Sequence, residues 1–255
     1  MVFEKNLGDD FMAIGKFNFL SRKLGFTTSF NVLLPDSIEK DEKVPVLYLL
    51  HGLSDDHNTW LVRTSIEMAV RTKKIAVCMP EAHKSFYLDM YYGDQYYSYI
   101  SSELPEIVAK FFPVDQKQQY IAGLSMGGYG ALKAALCNPD QYKAVGSFSG
   151  VVDMASHVAD SGEQRRDFFV RLFGPDLIVK DTSNDLFYVT EKLKEKSPPI
   201  YLSCGTEDFL YAYNVRFIKH CEEQGIRIKY HEEPANHTWD FWDRQIKSFL
   251  DFIGV

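Results

Sequence analysis

The sequence is poor in cysteine and contains no long apolar run and no basic run. Its four cysteines lie far apart and include no C-x-x-C pair, so their spacing supports neither a disulfide framework nor a zinc site. No apolar stretch reaches the length of a membrane span. The formal net charge of −7, together with the lack of a basic stripe, argues against nucleic-acid binding. We therefore expect neither a membrane nor a nucleic acid as a partner.

The first residues lack the basic segment followed by an apolar segment that marks a secretory signal, which predicts a cytoplasmic location. The chain has 255 residues, enough for one large α/β domain with a full core. Hydrophobic residues make up 45% and charged residues 25%, which is ordinary for a globular protein. Because no repeat, low-complexity tract or flexible linker divides the chain, we predict a single domain over residues 1–255.

Strand-like and helix-like segments alternate along the chain. The strand-like segments are short and apolar, as in strands buried on both faces, and lie at 28–34, 44–50, 75–79, 120–122, 144–148, 199–204 and 228–232. Helical spacing of apolar residues predicts helices at 59–72, 98–112, 127–137, 211–224 and 238–252. Pro105 is expected to mark a kink or a first helical turn. This alternation predicts a mostly parallel central sheet with helices on both faces, and an antiparallel edge pair at 16–22 and 28–34.

The alternation is interrupted between residues 151 and 197. This segment is polar and carries helical patterns at 164–173 and 185–195. It follows the end of a predicted strand, where loops and insertions commonly carry function. We interpret it as a small cap-like insertion that covers a site, with packing alone as the alternative.

The strongest functional signal is the pentapeptide Gly123-Leu124-Ser125-Met126-Gly127, a G-x-S-x-G motif. A strand-like run precedes it and a helix-like run follows it, which is the context that this motif requires. The sharp turn strains the backbone of the central residue and holds its side chain clear of the chain. Ser125 is therefore the candidate nucleophile, and a glycine-rich turn around a buried serine is the alternative.

A serine hydroxyl needs a general base, and the base needs an orienting carboxylate. In this type of fold they follow the serine in the order Asp or Glu, then His. Glu207 and Asp208 follow the strand predicted at 199–204, and we favour Asp208 while keeping Glu207 as the alternative. His237 combines a late position, a strand-end loop and a following helix start, so it is the candidate base.

Two backbone amides are candidates for an oxyanion hole, the group of donors that stabilises a tetrahedral intermediate. One is the amide of Met126, directly after the nucleophile. The other is the amide of Leu53, in the loop after the strand at 44–50, with His51 expected to form structural hydrogen bonds beneath that loop. Trp60 lies nearby in sequence and is a candidate substrate-binding residue, with a structural role equally open. This chemistry requires no metal and no organic cofactor.

Four segments, at 50–53, 123–128, 205–210 and 236–239, resemble the esterase D-like branch of the α/β-hydrolases, and most closely the bacterial tributyrin esterases. The likeness extends from about residue 21 to residue 253. It implies an α/β-hydrolase fold and a serine carboxylesterase that cleaves short-chain acyl esters through an acyl-enzyme intermediate. It also implies that the tyrosine-rich segment at 87–97 lies beside the pocket, so we expect Tyr87 to bind substrate, with core packing of this segment as the alternative.

The same branch includes S-formylglutathione hydrolases, feruloyl and acetyl-xylan esterases and acyltransferases, which remain alternatives. S-formylglutathione hydrolases usually carry His before the nucleophile and a Ser-Pro-Arg-Gly stretch after the third strand. This chain instead has Leu124 and, at 80–87, the sequence PEAHKSFY, and both differences argue against that alternative. The expected partner is a small-molecule ester. Related esterases often form dimers or tetramers, so a homo-oligomer is left open.

Overall fold

The computed structural model describes residues 11–193 and 197–255. Within these ranges eight strands form one sheet in the order β1-β2-β4-β3-β5-β6-β7-β8. The strands are β1 Met12–Leu20, β2 Thr27–Pro35, β3 Val44–Leu50, β4 Ala76–Pro80, β5 Val114–Leu124, β6 Ala144–Phe148, β7 Ile200–Gly205 and β8 Ile228–Glu233. Strands β3 to β8 are parallel, while β2 runs antiparallel to both β1 and β4. The mostly parallel sheet and its antiparallel edge pair are thus confirmed.

Helices cover both faces of this sheet. They are α1 Thr59–Arg63, α2 Ile66–Val70, α3 Tyr96–Ser98, α4 Leu104–Phe111, α5 Met126–Cys137, α6 Met154–Asp160, α7 Arg166–Phe173, α8 Leu186–Lys192, α9 Tyr211–Glu223 and α10 Trp239–Phe252. Side chains alternate along β3, so that Tyr48 packs in the core cluster that contains α5, whereas Leu47 and Leu49 pack in the cluster that contains α10. Both faces are therefore apolar, which explains why the central strands are continuous apolar runs.

The helix predicted at 59–72 is in fact two short helices, α1 and α2. The chain leaves the helical path at Thr64, whose backbone is extended. At Ser65 the backbone amide and the hydroxyl both donate hydrogen bonds to the Asp243 carboxylate on α10, at 2.7 and 2.9 Å. This side-chain acceptor from a distant helix replaces the intrahelical hydrogen bonds that a continuous helix would form.

The segment predicted as a helix at 98–112 contains a widened π-helical turn at Tyr99–Glu103, and α4 begins only at Leu104. Pro105 lies in the first turn of α4, directly after the π-helical turn, and its missing amide hydrogen interrupts the regular α-helical hydrogen bonding at this point. The expectation of a first-turn proline is therefore confirmed, and the segment before it belongs to a different helical geometry.

The segment at 151–197 contains α6, α7 and α8, and its residues 194–196, which include part of the helix predicted at 185–195, lie outside the described residues. It packs on the chain that follows β4. The backbone amides of Tyr91 and Tyr92 donate hydrogen bonds to the carbonyls of Leu172 and Arg171 at the end of α7, at 3.0 and 2.9 Å. Helix α7 is thus hydrogen-bonded to the tyrosine-rich segment.

His157 on α6 provides a test of stability against pH. Its ring is packed edge-on against Phe169, and burial, assisted by the charge of Arg165, lowers its pKa to about 4. The carboxylates of Asp153 and Asp160 act in the opposite direction with smaller effect. Between about pH 4 and pH 6.5 the unfolded chain binds a proton at this histidine and the folded chain does not, so stability falls as the pH falls through this window.

We expect the free energy of unfolding of the wild type to fall by about 2 kcal/mol more than that of His157→Gln between about pH 7 and pH 4.5. Glutamine does not titrate in this range, so the variant lacks this contribution at every pH. Urea unfolding of both proteins at the two pH values measures the difference. Parallel losses in the two proteins would contradict the prediction.

Candidate active site

Ser125 lies at the sharp turn between β5 and α5. Its φ of 52° and ψ of −115° are a strained conformation for a residue other than glycine. Neighbouring backbone holds the turn in place: the Ser125 amide donates to the Phe148 carbonyl at 2.9 Å, and the amide of Val151 donates to the Ser125 carbonyl at 3.3 Å. The strained turn expected from the pentapeptide is therefore present, with the serine at its apex.

Two glycines of the motif allow this turn because a side chain would not fit. A Cβ atom on Gly123 would lie 2.5 Å from the backbone of Gly127, where strand and helix approach each other. A Cβ atom on Gly127 would lie 2.5 Å from the Leu50 carbonyl oxygen and 2.7 Å from that of His51. The start of α5 is thus pressed directly against the loop after β3, which brings the two predicted oxyanion donors into one region.

The structure brings Asp208 and His237 to the serine. The Nε2 atom of His237 is 3.0 Å from the Ser125 hydroxyl, and Nδ1 is 2.8 Å from the Asp208 carboxylate. A carboxylate can only accept a hydrogen bond, so Nδ1 carries the proton and Nε2 accepts from the hydroxyl. The Asp208 side chain is fully buried, and its second oxygen accepts from the Leu210 amide at 2.9 Å. Both carboxylate oxygens are therefore held in place.

Glu207, the alternative acid, lies away from this hydrogen-bonded chain. It is exposed, and its carboxylate accepts a hydrogen bond from the Asn236 side chain at 3.0 Å. The turn after β7 separates the two neighbours: the Asp208 amide donates to the Gly205 carbonyl at 3.1 Å, which directs the Asp208 side chain inward. The geometry thus favours Asp208 as the partner of His237.

The amides of Met126 and Leu53 both lack a hydrogen-bond acceptor among the described residues. Met126 is the first residue of α5, and an amide there has no acceptor within the helix. Leu53 lies in the loop after β3, and its amide has no acceptor among the described residues. A Cβ atom on the preceding Gly52 would lie 2.7 Å from the Leu124 side chain, so this loop contacts the residue just before the nucleophile. The two predicted donors therefore come from adjoining segments.

His51 fixes the orientation of the Leu53 amide. Its Nδ1 atom donates to the Gly52 carbonyl at 2.7 Å, while Nε2 accepts from the Ala82 amide at 3.0 Å. The Gly52–Leu53 peptide is planar, so holding its carbonyl on one side directs the Leu53 N–H to the other. Tyr87 adds a hydrogen bond from its hydroxyl to the His51 carbonyl at 3.0 Å. The structural role expected of His51 is thus visible in its contacts.

Trp60 and Tyr87, expected to bind substrate, lie beneath this loop instead. Each is only 1% exposed, and each donates a hydrogen bond to the backbone at the end of β3: the Trp60 indole to the Leu50 carbonyl at 3.0 Å and the Tyr87 hydroxyl to the His51 carbonyl. Side chains buried to this extent support the loop from below and have no surface left for a ligand. The assignment of both as substrate contacts is corrected on this ground.

A cavity of about 430 Å³ opens beside Leu53. Its walls come from the loops after β3 and β4, from the tyrosine-rich segment and from α7; they include Ser54, His83, Met90, Tyr96, Phe168 and Arg171. These residues cannot be identified from the sequence, because they belong to separate loops and share no motif. Tyr96 lies within the tyrosine-rich segment, which was the available signal.

Asp56, His57 and Glu81 place one potential metal ligand each within 4.8 Å of one another. The two carboxylates already accept hydrogen bonds from protein donors. The Glu81 carboxylate accepts from His57 Nδ1 at 2.9 Å, and Asp56 accepts from the Thr59 hydroxyl at 2.9 Å. Burial alone would raise the pKa of Glu81, but hydrogen bonds from His57 Nδ1 and from the His83 backbone amide, at 2.9 and 2.8 Å, hold this pKa well below its usual range. These hydrogen bonds form a network around the ionised Glu81 carboxylate and hold the loop after Leu53 in place.

Comparison with known proteins agrees with the geometry. The family model named Esterase matches residues 21–252. An acetyl esterase of Caldicellulosiruptor saccharolyticus is 30% identical, covering 95% of this chain and 98% of that protein. Among solved structures, the Staphylococcus aureus fluorophosphonate-binding serine hydrolase F, with substrate bound, is 31% identical with a TM-score of 0.88, covering 95% of this chain and 98% of its own.

An S-formylglutathione hydrolase from Staphylococcus aureus is also 31% identical, with a TM-score of 0.84 and the same coverage of 95% and 98%. These neighbours are serine hydrolases, and the expected α/β-hydrolase fold is confirmed. Among the described residues, none of the helices has the length and apolar character needed to cross a bilayer.

Proposed function

This chain belongs to the esterase family and is a serine carboxylesterase; on that basis we propose that Ser125, His237 and Asp208 are its catalytic triad and that short-chain acyl esters are its substrates. The observation that carries the assignment is the chain of hydrogen bonds from Asp208 through His237 to Ser125, at 2.8 and 3.0 Å. It supplies a nucleophile, its base and the group that orients the base.

In the first half of the reaction, Ser125 Oγ attacks the acyl carbon while His237 Nε2 takes the hydroxyl proton. The amides of Met126 and Leu53 donate hydrogen bonds to the carbonyl oxygen as it becomes negative. The intermediate then collapses: the bond from the acyl carbon to the alcohol oxygen breaks, and His237 gives its proton to that oxygen. The products of this half are the free alcohol and an acyl group on Ser125.

In the second half, water replaces the alcohol. His237 takes a proton from the water, the resulting hydroxide attacks the acyl carbon, and the proton passes to Ser125 Oγ as the bond to the acyl group breaks. Asp208 keeps the proton of His237 on Nδ1 throughout and stabilises the imidazolium. The carboxylic acid leaves, and every step uses groups that this chain supplies.

Two observations support a small ester as substrate. A relative covering nearly the whole chain is named an acetyl esterase. The cavity beside Leu53, at about 430 Å³, falls toward the lower end of the range for small-molecule sites, roughly 300–1,000 Å³. The resemblance to bacterial tributyrin esterases points the same way, and we propose that the helices of 151–197 act as a cap beside this cavity. The cytoplasmic location and any homo-oligomer stay predictions from sequence.

The test is hydrolysis of p-nitrophenyl esters from acetate to octanoate, combined with fluorophosphonate labelling and peptide mass spectrometry. We expect kcat/KM to be highest for short acyl chains and the label to be on Ser125. A rate that rises steadily to octanoate would contradict the short-chain proposal. A label on another residue would contradict the triad.

S-formylglutathione hydrolysis is the second candidate, since a hydrolase of that name matches this fold at 31% identity. The chemistry is the same with a thiolate as the leaving group. Leu124 and the stretch at 80–87 still depart from the usual pattern of those enzymes. A kcat/KM for S-formylglutathione well above that for the best p-nitrophenyl ester would favour this candidate.

A further inference from the structure

Phe209 is exposed and touches the candidate base directly. Its side chain is 68% exposed, although its neighbours Asp208 and Leu210 are buried. Its ring centroid lies 4.7 Å from that of the His237 imidazole, at an interplanar angle of 51°. Single exposed apolar side chains are common on protein surfaces, so exposure alone carries little weight. The contact with His237 is what distinguishes this one.

The backbone holds Phe209 firmly in this position. The amides on either side are tied into the turn: Asp208 donates to the Gly205 carbonyl at 3.1 Å, and Leu210 donates to the Asp208 carboxylate at 2.9 Å. The amide of Tyr211 adds a hydrogen bond to the Asp208 carbonyl at 2.9 Å. The aromatic ring is therefore presented by a rigid turn that also positions the triad acid, and a ligand would meet it without reordering the loop.

The chemistry of acylation determines which part of the substrate lies there. His237 must give its proton to the alcohol oxygen, so that oxygen has to come within hydrogen-bond distance of Nε2, about 2.6–3.2 Å. The carbonyl oxygen is directed to the amides of Met126 and Leu53 instead. The alcohol part of the ester therefore passes alongside the imidazole.

Two aromatic rings flank that imidazole. Trp242 packs at 4.8 Å between centroids but is only 5% exposed, and its indole donates to the Ser149 hydroxyl at 3.1 Å. The Trp242 ring is thus buried in the interior and has little surface to offer a ligand. Phe209 is the flanking ring with free surface, so an alcohol group emerging from the site meets its face or edge.

We propose that Phe209 is a substrate contact that selects the alcohol part of the ester, favouring alcohols that carry an aromatic or extended apolar group. This inference rests on the proposed triad and adds to it a preference on the leaving-group side. An aromatic pair contributes about 0.5–1.5 kcal/mol beyond ordinary burial, which corresponds to a preference of about twofold to tenfold. The effect falls on kcat/KM, because that constant covers binding and the step that releases the alcohol.

The experiment compares acetates whose alcohols have similar leaving-group basicity but different size. Wild type, Phe209→Ala and Phe209→Leu are assayed with 2-phenylethyl acetate and ethyl acetate, and with ethyl butyrate as the acyl-side comparison. We expect the kcat/KM ratio of phenylethyl to ethyl acetate to fall about twofold to tenfold in Phe209→Ala and less in Phe209→Leu. The ratio of ethyl butyrate to ethyl acetate should change by less than about twofold, since the acyl group lies elsewhere.

A matched control is Phe111→Ala, which removes another exposed phenylalanine that packs against Phe17 on β1. Its ratios should equal those of the wild type. If Phe209→Ala slows all esters by the same factor, Phe209 only positions His237 and the inference is overturned. A change in the butyrate ratio would overturn it as well, by placing Phe209 on the acyl side. A wild type inactive toward every ester would overturn the proposed function itself, and this inference with it.

Discussion

Ser125→Ala is expected to lower kcat for p-nitrophenyl acetate by about 10⁴-fold or more. The variant keeps the oxyanion amides and the His237–Asp208 pair, so some acceleration over water remains. What it loses is the oxygen that accepts the acyl group, and with it the covalent route. Steady-state kinetics measure the loss, and fluorophosphonate labelling of the variant should disappear in parallel.

The matched control is Ser248→Ala, which removes an exposed hydroxyl on α10. It should keep wild-type activity. Ser125→Ala should also keep its fold, because the hydrogen bonds that hold the turn come from backbone atoms of Ser125. Thermal unfolding at or above the wild-type midpoint would confirm that the loss is chemical, since alanine retains the strained φ and removes only Oγ. Full activity in this variant would remove Ser125 as nucleophile.

The sheet could be predicted from sequence because its determinants are local. Strands β3 and β6 begin and end at the predicted residues, since each is a short apolar run flanked by turn or polar residues. The break between α1 and α2 could not be predicted in this way. It depends on Asp243, which is far away in sequence and meets Ser65 only in the folded chain.

The same distinction between local and long-range determinants applies to the candidate site. Ser125 and His237 could be placed because a motif and a chain order identify strand-end loops that meet at one edge of the sheet. The orientation of the Trp60 and Tyr87 side chains could not be predicted, because nearness in sequence does not show which way a side chain points. Tyr87 has a φ of 55°, a conformation that tyrosine rarely adopts and that nothing in the local sequence signals.

Replacing the carboxylate that orients His237 is expected to have the second large effect on kcat. Asp208→Asn should lower kcat by about 10⁴-fold, whereas Glu207→Gln should change it by less than about twofold. An asparagine can turn its amide toward His237 Nδ1 and donate to it. The imidazole proton would then sit on Nε2, facing Ser125, and the base would have no lone pair to accept the hydroxyl proton.

The two variants form a matched pair, since each replaces one carboxylate by an amide of nearly the same shape at adjacent positions. Steady-state kinetics with p-nitrophenyl acetate and the rate of fluorophosphonate labelling measure both. If Glu207→Gln were the inactive variant, the 2.8 Å contact between Asp208 and His237 would not be the one that orients the base.

Of the two carboxylates, only that of Asp208 is buried and has both oxygens held by protein donors, at 2.8 and 2.9 Å, while Glu207 is exposed with a single amide partner. A hydrogen bond to a charged group is worth most where water is excluded, so the tautomer of His237 should depend on Asp208 and be nearly insensitive to Glu207.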